Sequence, residues 1–308
     1  MESLKDKPIL VTGATGYVGA RLVPRLLQAG YKVRAMARSA TKLREYPWAK
    51  HENLEIVAAD IFDQDKLLQA LSGCSAAYYL IHSMNARNKD FAEADRRAAD
   101  NFRQAAESAG LQRIIYLGAL SEEQANLSKH LRSRAEVAQI LRAGKVPVTV
   151  LRAAMIIGSG SASFDILRYL VDRLPIMVTP QWVRTPSQPI AISNVLEYLI
   201  VCLDKDETSG RIFDIGGPEV LSYQALMDIY AEEAGLGPRL VIPVPYFTPR
   251  LSSYWIHLVT PISAHIARPL ADGLRNPAVC QENSIRSIIP LKLLDCRAAI
   301  KLALADIS

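Results

Sequence analysis

Nothing in this sequence supplies a covalent staple. Its 308 residues include only four cysteines, Cys74, Cys202, Cys280 and Cys296, far apart and with no Cys-x-x-Cys pair. That pattern excludes a disulfide framework and a cysteine zinc site, and no metal is expected. It suits the reduced, structural thiols of a cytoplasmic protein. Long uncharged stretches are missing too. The longest, Leu251 to Ala267, has 17 residues, is broken by Pro261 and holds His257, His265 and three serines. A helical span needs about 20 apolar residues, so no membrane span is expected. The polar start from Met1 to Pro8 has no apolar segment of a secretory leader, and the expected location is the cytoplasm. Charge of one sign is scarce as well. Thirty-six basic residues against 31 acidic leave +5, spread without a basic run. That excludes a nucleic-acid footprint but suits small anionic ligands. Internal repeats and low-complexity tracts are absent.

What is present is an alternation of short apolar runs and amphipathic segments. Pro8 to Val11, Lys32 to Ala37, Leu54 to Ala58, Ala76 to Ile81, Arg113 to Leu117 and Val148 to Leu151 read as strands. Between them Tyr17 to Ala29, Asp65 to Leu71, Phe91 to Ala109 and Ser133 to Ala143 carry helical spacing, with Gly30, Gly110 and Gly144 as stops and Pro24 as an expected kink. Helical crossovers between neighbouring strands impose parallel pairing. The predicted class is therefore α/β, a doubly wound Rossmann fold. Residues 1–157 form its dinucleotide-binding core, joined by a later strand near 211–215. Residues 158–308 are expected to form a smaller, mainly helical lobe interleaved with that core. The rhythm breaks over 158–189, which hold four prolines among glycines and serines.

One loop carries chemistry. Thr12-Gly13-Ala14-Thr15-Gly16-Tyr17-Val18-Gly19 lies between a strand and a helix, with glycines spaced GxxGxxG. Glycines there permit a tight turn, close approach of backbone to a pyrophosphate, and close helix–strand packing. The helix start then offers free N–H groups and a positive dipole end. Gly13, Thr15, Gly16, Tyr17, Val18 and Gly19 are the candidate phosphate bed. An NAD site places Asp or Glu at the end of the second strand. Between Asp6 and Glu45 this chain has no acidic residue, and offers Arg34, Arg38 and Lys42 instead. Arg38 can fork onto a 2′-phosphate, which makes NADP(H) the expected cofactor ahead of NAD(H). A solvated surface arginine is the plainer alternative. Asp60 and Ile61, after the third strand, are expected beside the adenine. His82 and Ser83 follow the fourth strand, where the nicotinamide half belongs.

These residues resemble the extended and atypical short-chain dehydrogenase/reductases, and more closely their NmrA-like, NAD(P)-binding branch. The resemblance runs through Thr12 to Gly19, Ala59-Asp60, Ala109-Gly110, Pro189-Ile190-Ala191 with Asn194, and Gly216 to Glu219 with Leu221-Ser222-Tyr223. The segments Ile81 to Met84, His130 to Arg134 and Gly158 to Phe164 are similar to the bacterial YbjT group. Typical members imply a Ser or Thr after strand five and a Tyr-x-x-x-Lys pair on the next helix, the tyrosine moving the proton. Here Gly118 and Ala119 stand at the hydroxyl positions, His130 at the tyrosine position and Arg134 at the lysine position.

His130 and Arg134 are four apart and so share one helical face. His130 is the candidate general acid, because histidine titrates near neutrality; a surface histidine at a helix start competes evenly with that role. Arg134 stays protonated and can hold a ribose hydroxyl, a phosphate or an anionic substrate; its charge is also expected to lower the His130 pKa and leave that imidazole mainly neutral at pH 7. His82 is a second proton-donor candidate. Arg152 reads as structural, and Ser159 and Ser161 as part of a loop over the pocket. The aromatic and aliphatic stretch 244–270 suits core packing first, then a lipophilic substrate or a peripheral membrane contact. The leading expectation is an NADPH-dependent reductase acting on an unidentified small molecule, a carbonyl, enone or quinone. A non-catalytic cofactor-binding sensor or assembly protein is the rival. A nucleotide-sugar epimerase or dehydratase is weaker, since that chemistry relies on the missing tyrosine. The sequence does not fix the oligomeric state.

Overall fold

The computed structural model describes residues 4–82, 91–120, 127–244, 269–270 and 272–307. The first half holds β1 (Ile9–Val11), α1 (Gly19–Gln28), β2 (Val33–Ala37), α2 (Ala40–Arg44), β3 (Leu54–Ala58), α3 (Gln64–Leu71), β4 (Ala76–Tyr79), α4 (Phe91–Ser108), β5 (Arg113–Ala119), α5 (Lys129–Arg142) and β6 (Val148–Ala153). After these come β7 (Ile156–Ile157), α6 (Ala162–Arg173), β8 (Ile176–Pro180), β9 (Pro186–Ser187), β10 (Ile190–Ala191), α7 (Ile192–Asp204), β11 (Ile212–Ile215), β12 (Leu221–Ser222), α8 (Tyr223–Glu233), β13 (Leu240–Val244), α9 (Ser284–Ile288) and α10 (Cys296–Ala305).

Seven parallel strands form one sheet in the order β11-β6-β5-β4-β1-β2-β3. Side chains alternate across it, as strand geometry requires. Ile9, Val11, Tyr78 and Ile115 enter a core under α1 and α7, while Leu10, Tyr79, Ile114 and Tyr116 enter a second core under α3, α4 and α5. The order reverses between β4 and β1, and the crevice beyond the carboxyl ends of those strands is where such sheets hold ligands. Thr12 fixes that crevice. Its buried hydroxyl donates to the Tyr78 carbonyl at 2.9 Å and accepts from the Leu80 N–H at 3.1 Å.

α1 ends as Gly30 predicts. Gly30 has φ +84°, its N–H donates to the Leu27 carbonyl and that of Tyr31 to the Leu26 carbonyl, closing a Schellman motif. Pro24, expected as a kink, sits inside one continuous helix. α5 begins a turn earlier than its pattern suggests, because the Ser128 side chain accepts from the Leu131 N–H and caps it. Arg113 is buried and donates to the carbonyls of Cys202, Leu203 and Lys205, satisfying the end of α7.

The second lobe centres on a separate cluster built from α6, α8 and α10, including Phe164, Leu170, Leu226 and Ile300. α6 lies in the stretch expected to be irregular. Its apolar residues 164, 166, 167, 170 and 171 are helically spaced, but flanking glycines and prolines obscure the pattern. β13, which pairs in parallel with β8, falls in a stretch expected to be mainly helical. Two further strand pairs, β10–β7 and β12–β9, fasten the lobe's entry and exit. Arg152 is structural, bonded to buried Asp214 at 2.7 Å. Among the described residues no helix is long and apolar enough to cross a membrane.

Candidate functional site

The turn after β1 is built from backbone. Gly13 has φ +63°, and a Cβ there would stand 2.8 Å from the Leu80 carbonyl oxygen. A Cβ on Gly19 would collide with the Gly13 carbonyl, so α1 can pack this closely on the turn only through glycine. The helix start has no side-chain cap and no acidic residue in its first turn. Among the described residues the N–H groups of Tyr17 and Val18 find no backbone acceptor. Orphan donors at a positive helix end, above a glycine floor, fit a phosphate and would be satisfied by one. This is an observation that the chain suits a dinucleotide's pyrophosphate.

The turn opens into a cavity of about 410 Å³. Gly13, Gly16, Tyr17, Val18 and Gly19 form one end. The carboxyl ends of β4, β5 and β6 supply Leu80, His82, Leu117, Gly118, Ala119 and Ala153, and α5 supplies His130, Leu131 and Arg134. The placement of α5 explains the last group. Ser133 donates to buried Asp95 of α4 at 3.1 Å, and Arg96 pairs with Glu136 at 2.9 Å, which holds one face of α5 against α4. The face one residue round carries His130 and Arg134 into the cavity. The Tyr116 hydroxyl donates to the Arg134 carbonyl at 3.2 Å, fixing that turn to the sheet.

Both imidazoles are held uncharged. Burial pushes His130 down to about 3, with the Arg134 charge as a second cause. His82 lines the cavity with its side chain open to it; desolvation by the crowded walls, then Arg134, then His130 lower it from the usual histidine range. The direction is the one expected for His130, but the leading cause is not. It is not an imidazolium near neutral pH and can act only as a neutral N–H donor or acceptor. Burial, rather than Arg134 alone, is the leading cause.

The second lobe closes the cavity with Met155, Gly160 to Ser163, Tyr223, Leu270, Leu274 and Asn276. Arg21 of α1 bridges the two sides. It donates to the carbonyls of Tyr17 (3.1 Å) and Ser159 (2.7 Å), and its guanidinium lies over the Tyr17 ring at 4.3 Å. The Tyr17 hydroxyl is buried, without a hydrogen-bond partner among the described residues, and pushed up to about 12, chiefly by burial. Tyr223 stands edge-on to Trp182 beside the buried Ser187 hydroxyl, and burial pushes it up to about 12.

Thus the glycine turn, His82, His130 and Arg134 border one cavity. Thr15 is exposed on the turn and does not line it. Arg38, Asp60 and Ile61 lie further along the same sheet edge, after β2 and β3. Arg38 is exposed and makes no hydrogen bond or ion pair among the described residues. Asp60 accepts from the Phe62 N–H at 3.0 Å, and Ile61 is buried. Arg34 departs from expectation. It is tied to Glu55 and to the Ala70 and Ser72 carbonyls, so it is committed to holding α3. Ser83 and residues 245–268 lie outside the described residues. Arg21 and Tyr223 escaped sequence reasoning. The first was legible as a cation four residues after an aromatic; the second stood in a segment noted for the family resemblance, with nothing local to place it on the cavity. No cluster of three or more His, Cys, Asp or Glu that could hold a metal occurs among the described residues.

The profile of a family described as NAD(P)H-binding matches residues 13–166. A mitochondrial protein of Arabidopsis thaliana, NADH dehydrogenase [ubiquinone] 1 alpha subcomplex subunit 9, is 24% identical over 241 residues, covering 76% of this chain. The match covers 60% of that protein, so the chain spans under two thirds of it. Among solved structures, the Citrobacter sp. triphenylmethane reductase complexed with NADP(H) superposes with a TM-score of 0.75 at 18% identity, covering 96% of this chain and 99% of that one. The Escherichia coli NADPH-dependent quinone oxidoreductase QOR2 complexed with NADPH also reaches 0.75, at 15% identity, covering 95% and 98%. At such identities the likeness is one of fold.

Proposed function

This chain belongs to the NAD(P)H-binding family, and from that premise we propose that it is an NADPH-dependent reductase of a small carbonyl, enone or quinone compound. The observation that carries the reading is continuity: the uncapped, glycine-floored start of α1 opens directly into a mostly apolar cavity walled by a second lobe. A module that only held a nucleotide would need no such wall. The fold's likeness to a quinone oxidoreductase and a triphenylmethane reductase supports the same class.

In this reading the Tyr17 and Val18 N–H groups bind the pyrophosphate, and Arg38 binds the 2′-phosphate. When bound, the cofactor supplies the hydride. Leu80, Leu117 and Ala153 exclude water from the reacting end. His82 and His130, being neutral, donate N–H hydrogen bonds that polarise the substrate oxygen, and the proton that completes the reduction passes from solvent through one of these imidazoles, which gives up one N–H and takes a proton on its other nitrogen. His130 and Arg134 stand where the tyrosine and lysine would be, so no tyrosine-dependent alcohol oxidation is expected.

That last point also favours a second reading, a cofactor-binding sensor or assembly subunit without turnover. One experiment separates them. NADPH and NADH are titrated calorimetrically, and NADPH consumption is followed with a panel of quinones, enones and aldehydes. Turnover of any member supports the reductase. NADPH binding with no turnover across the panel supports the sensor, and no binding of either cofactor defeats both.

A further inference from the structure

The charge on the described lining of the cavity is one-sided. No Asp or Glu is among its described lining residues. Arg134 lies in that lining, half-buried, and its guanidinium has no carboxylate or carbonyl partner among the described residues. Elsewhere the chain does not leave buried guanidinium groups this way. Arg34 holds Glu55, Arg103 holds Asp100 and Glu107, Arg113 holds Asp206 and three carbonyls, and Arg152 holds Asp214. A partly desolvated cation with no counter-charge is costly, so a ligand is the natural source of the missing charge.

Two further features point the same way. His130 and Leu131 of the first turn of α5 border the cavity, so the positive end of a 14-residue helix faces it. His82 and His130 stand beside Arg134 with no hydrogen-bond partner among the described residues, each able to donate one N–H. The cofactor does not supply the anion here. Its pyrophosphate belongs to the turn after β1, whereas α5 follows β5, two strands away in the sheet. A nicotinamide ring and its ribose carry no negative charge.

We propose that the second molecule in this cavity is an acid: an apolar compound bearing a carboxylate that pairs with Arg134. The assignment rests on the cofactor reading above for the placement of the nicotinamide end. Leu117, Leu120, Met155, Leu270, Leu274 and Tyr223 line the rest of the space and suit an aromatic or alicyclic body. Arg134 is then a specificity residue. It selects acids over neutral molecules of the same shape.

The test uses the whole chain, with and without saturating NADPH, and a matched pair of probes, 2-naphthoate and 2-naphthamide. Calorimetry should show the acid binding about ten- to a hundredfold more tightly than the amide, the range of one charge-assisted contact. Arg134→Gln should erase that preference and Arg134→Lys should retain part of it. In both variants NADPH affinity should stay within about threefold. Equal binding of the two probes, failure to bind the acid at millimolar concentration, or a preference that survives Arg134→Gln overturns the proposal. A loss of NADPH affinity in Arg134→Gln with the acid preference intact assigns Arg134 to the ribose and overturns it as well. If NADPH does not bind the unaltered chain, the cofactor reading fails, and the acid preference is judged from the titration without NADPH.

Discussion

The two ends of the cavity are made from different materials. At the α1 end the site is backbone: three glycines, two orphan N–H groups and a helix terminus, all within residues 13–19. At the α5 end it is side chains, drawn from residues 80–82, 117–120, 130–134, 153–163, 223 and 270–278. The first is a structure written locally. The second exists only after the sheet and the second lobe have assembled. The first should therefore tolerate almost no substitution, and the second should respond in graded steps.

The largest effect sharpens that contrast. Gly13→Val places a branched Cβ at φ +63° and against the Leu80 carbonyl. NADPH affinity should fall more than about 100-fold, and strain should lower stability by roughly 1–3 kcal/mol. Gly235→Ala is the control: φ is +67° but nothing lies within 4 Å. It should cost about 1 kcal/mol in a melting curve and leave NADPH affinity unchanged. Similar losses of affinity in both would break the distinction.

Next comes Arg38→Ala. If the exposed arginine after β2 holds the 2′-phosphate, NADPH should bind roughly 10- to 150-fold more weakly and NADH should bind as before. Isothermal titration of the two cofactors measures this, and an unchanged ratio removes Arg38 from the site.

A smaller change is expected on the side-chain end. Tyr223→Phe keeps the ring against Trp182 and removes one hydroxyl. One neutral hydrogen bond corresponds to about 2- to 12-fold in kcat/KM, with NADPH affinity intact. A shift confined to the melting temperature would mean that the hydroxyl serves packing alone.

The last effect is a slope rather than a step. His130 is pushed down to about 3 in the folded chain, first by burial and then by Arg134, against an ordinary value near 6.5. Below that ordinary value the unfolded chain takes up a proton that the folded chain refuses. Stability is therefore flat with respect to this group above pH 6.5 and declines as pH falls toward 3, by at most about 1.4 kcal/mol per pH unit. Urea midpoints between pH 7 and 4 should fall less steeply in His130→Gln. An identical slope would place the imidazole in solvent.

The same division decides what the sequence makes legible. Residues 9–19 announce a strand, a glycine turn and a helix because each depends on near neighbours, and Gly30 announces the stop that closes α1. The i,i+4 spacing of His130 and Arg134 places them on one face, and the resemblance to reductases places that face on the cavity. The downward push of Arg134 on His130 was legible in that spacing, but its main cause was not, since burial depends on what packs around the ring. Arg34 shows the reverse failure. Its charge and position suit a phosphate, yet three acceptors within the fold had already claimed it. α6 was hidden because its apolar rhythm begins and ends among residues that usually break helices.

The position of β11 at the edge of the sheet, beyond β6, has a consequence for how the chain is made. α7 and β11 complete the nucleotide-binding half, yet they follow about forty residues that belong to the other lobe. On the ribosome, Tyr78 waits for the Leu199 carbonyl, Tyr31 for Asp204, and buried Arg113 for the end of α7. Until residue 204 emerges, the part of the sheet face that α7 covers is bare, with only α1 packed beside it. The six earlier strands are therefore a nascent intermediate rather than a finished domain, and the stage most exposed to chaperones and aggregation falls between the synthesis of β6 and that of α7.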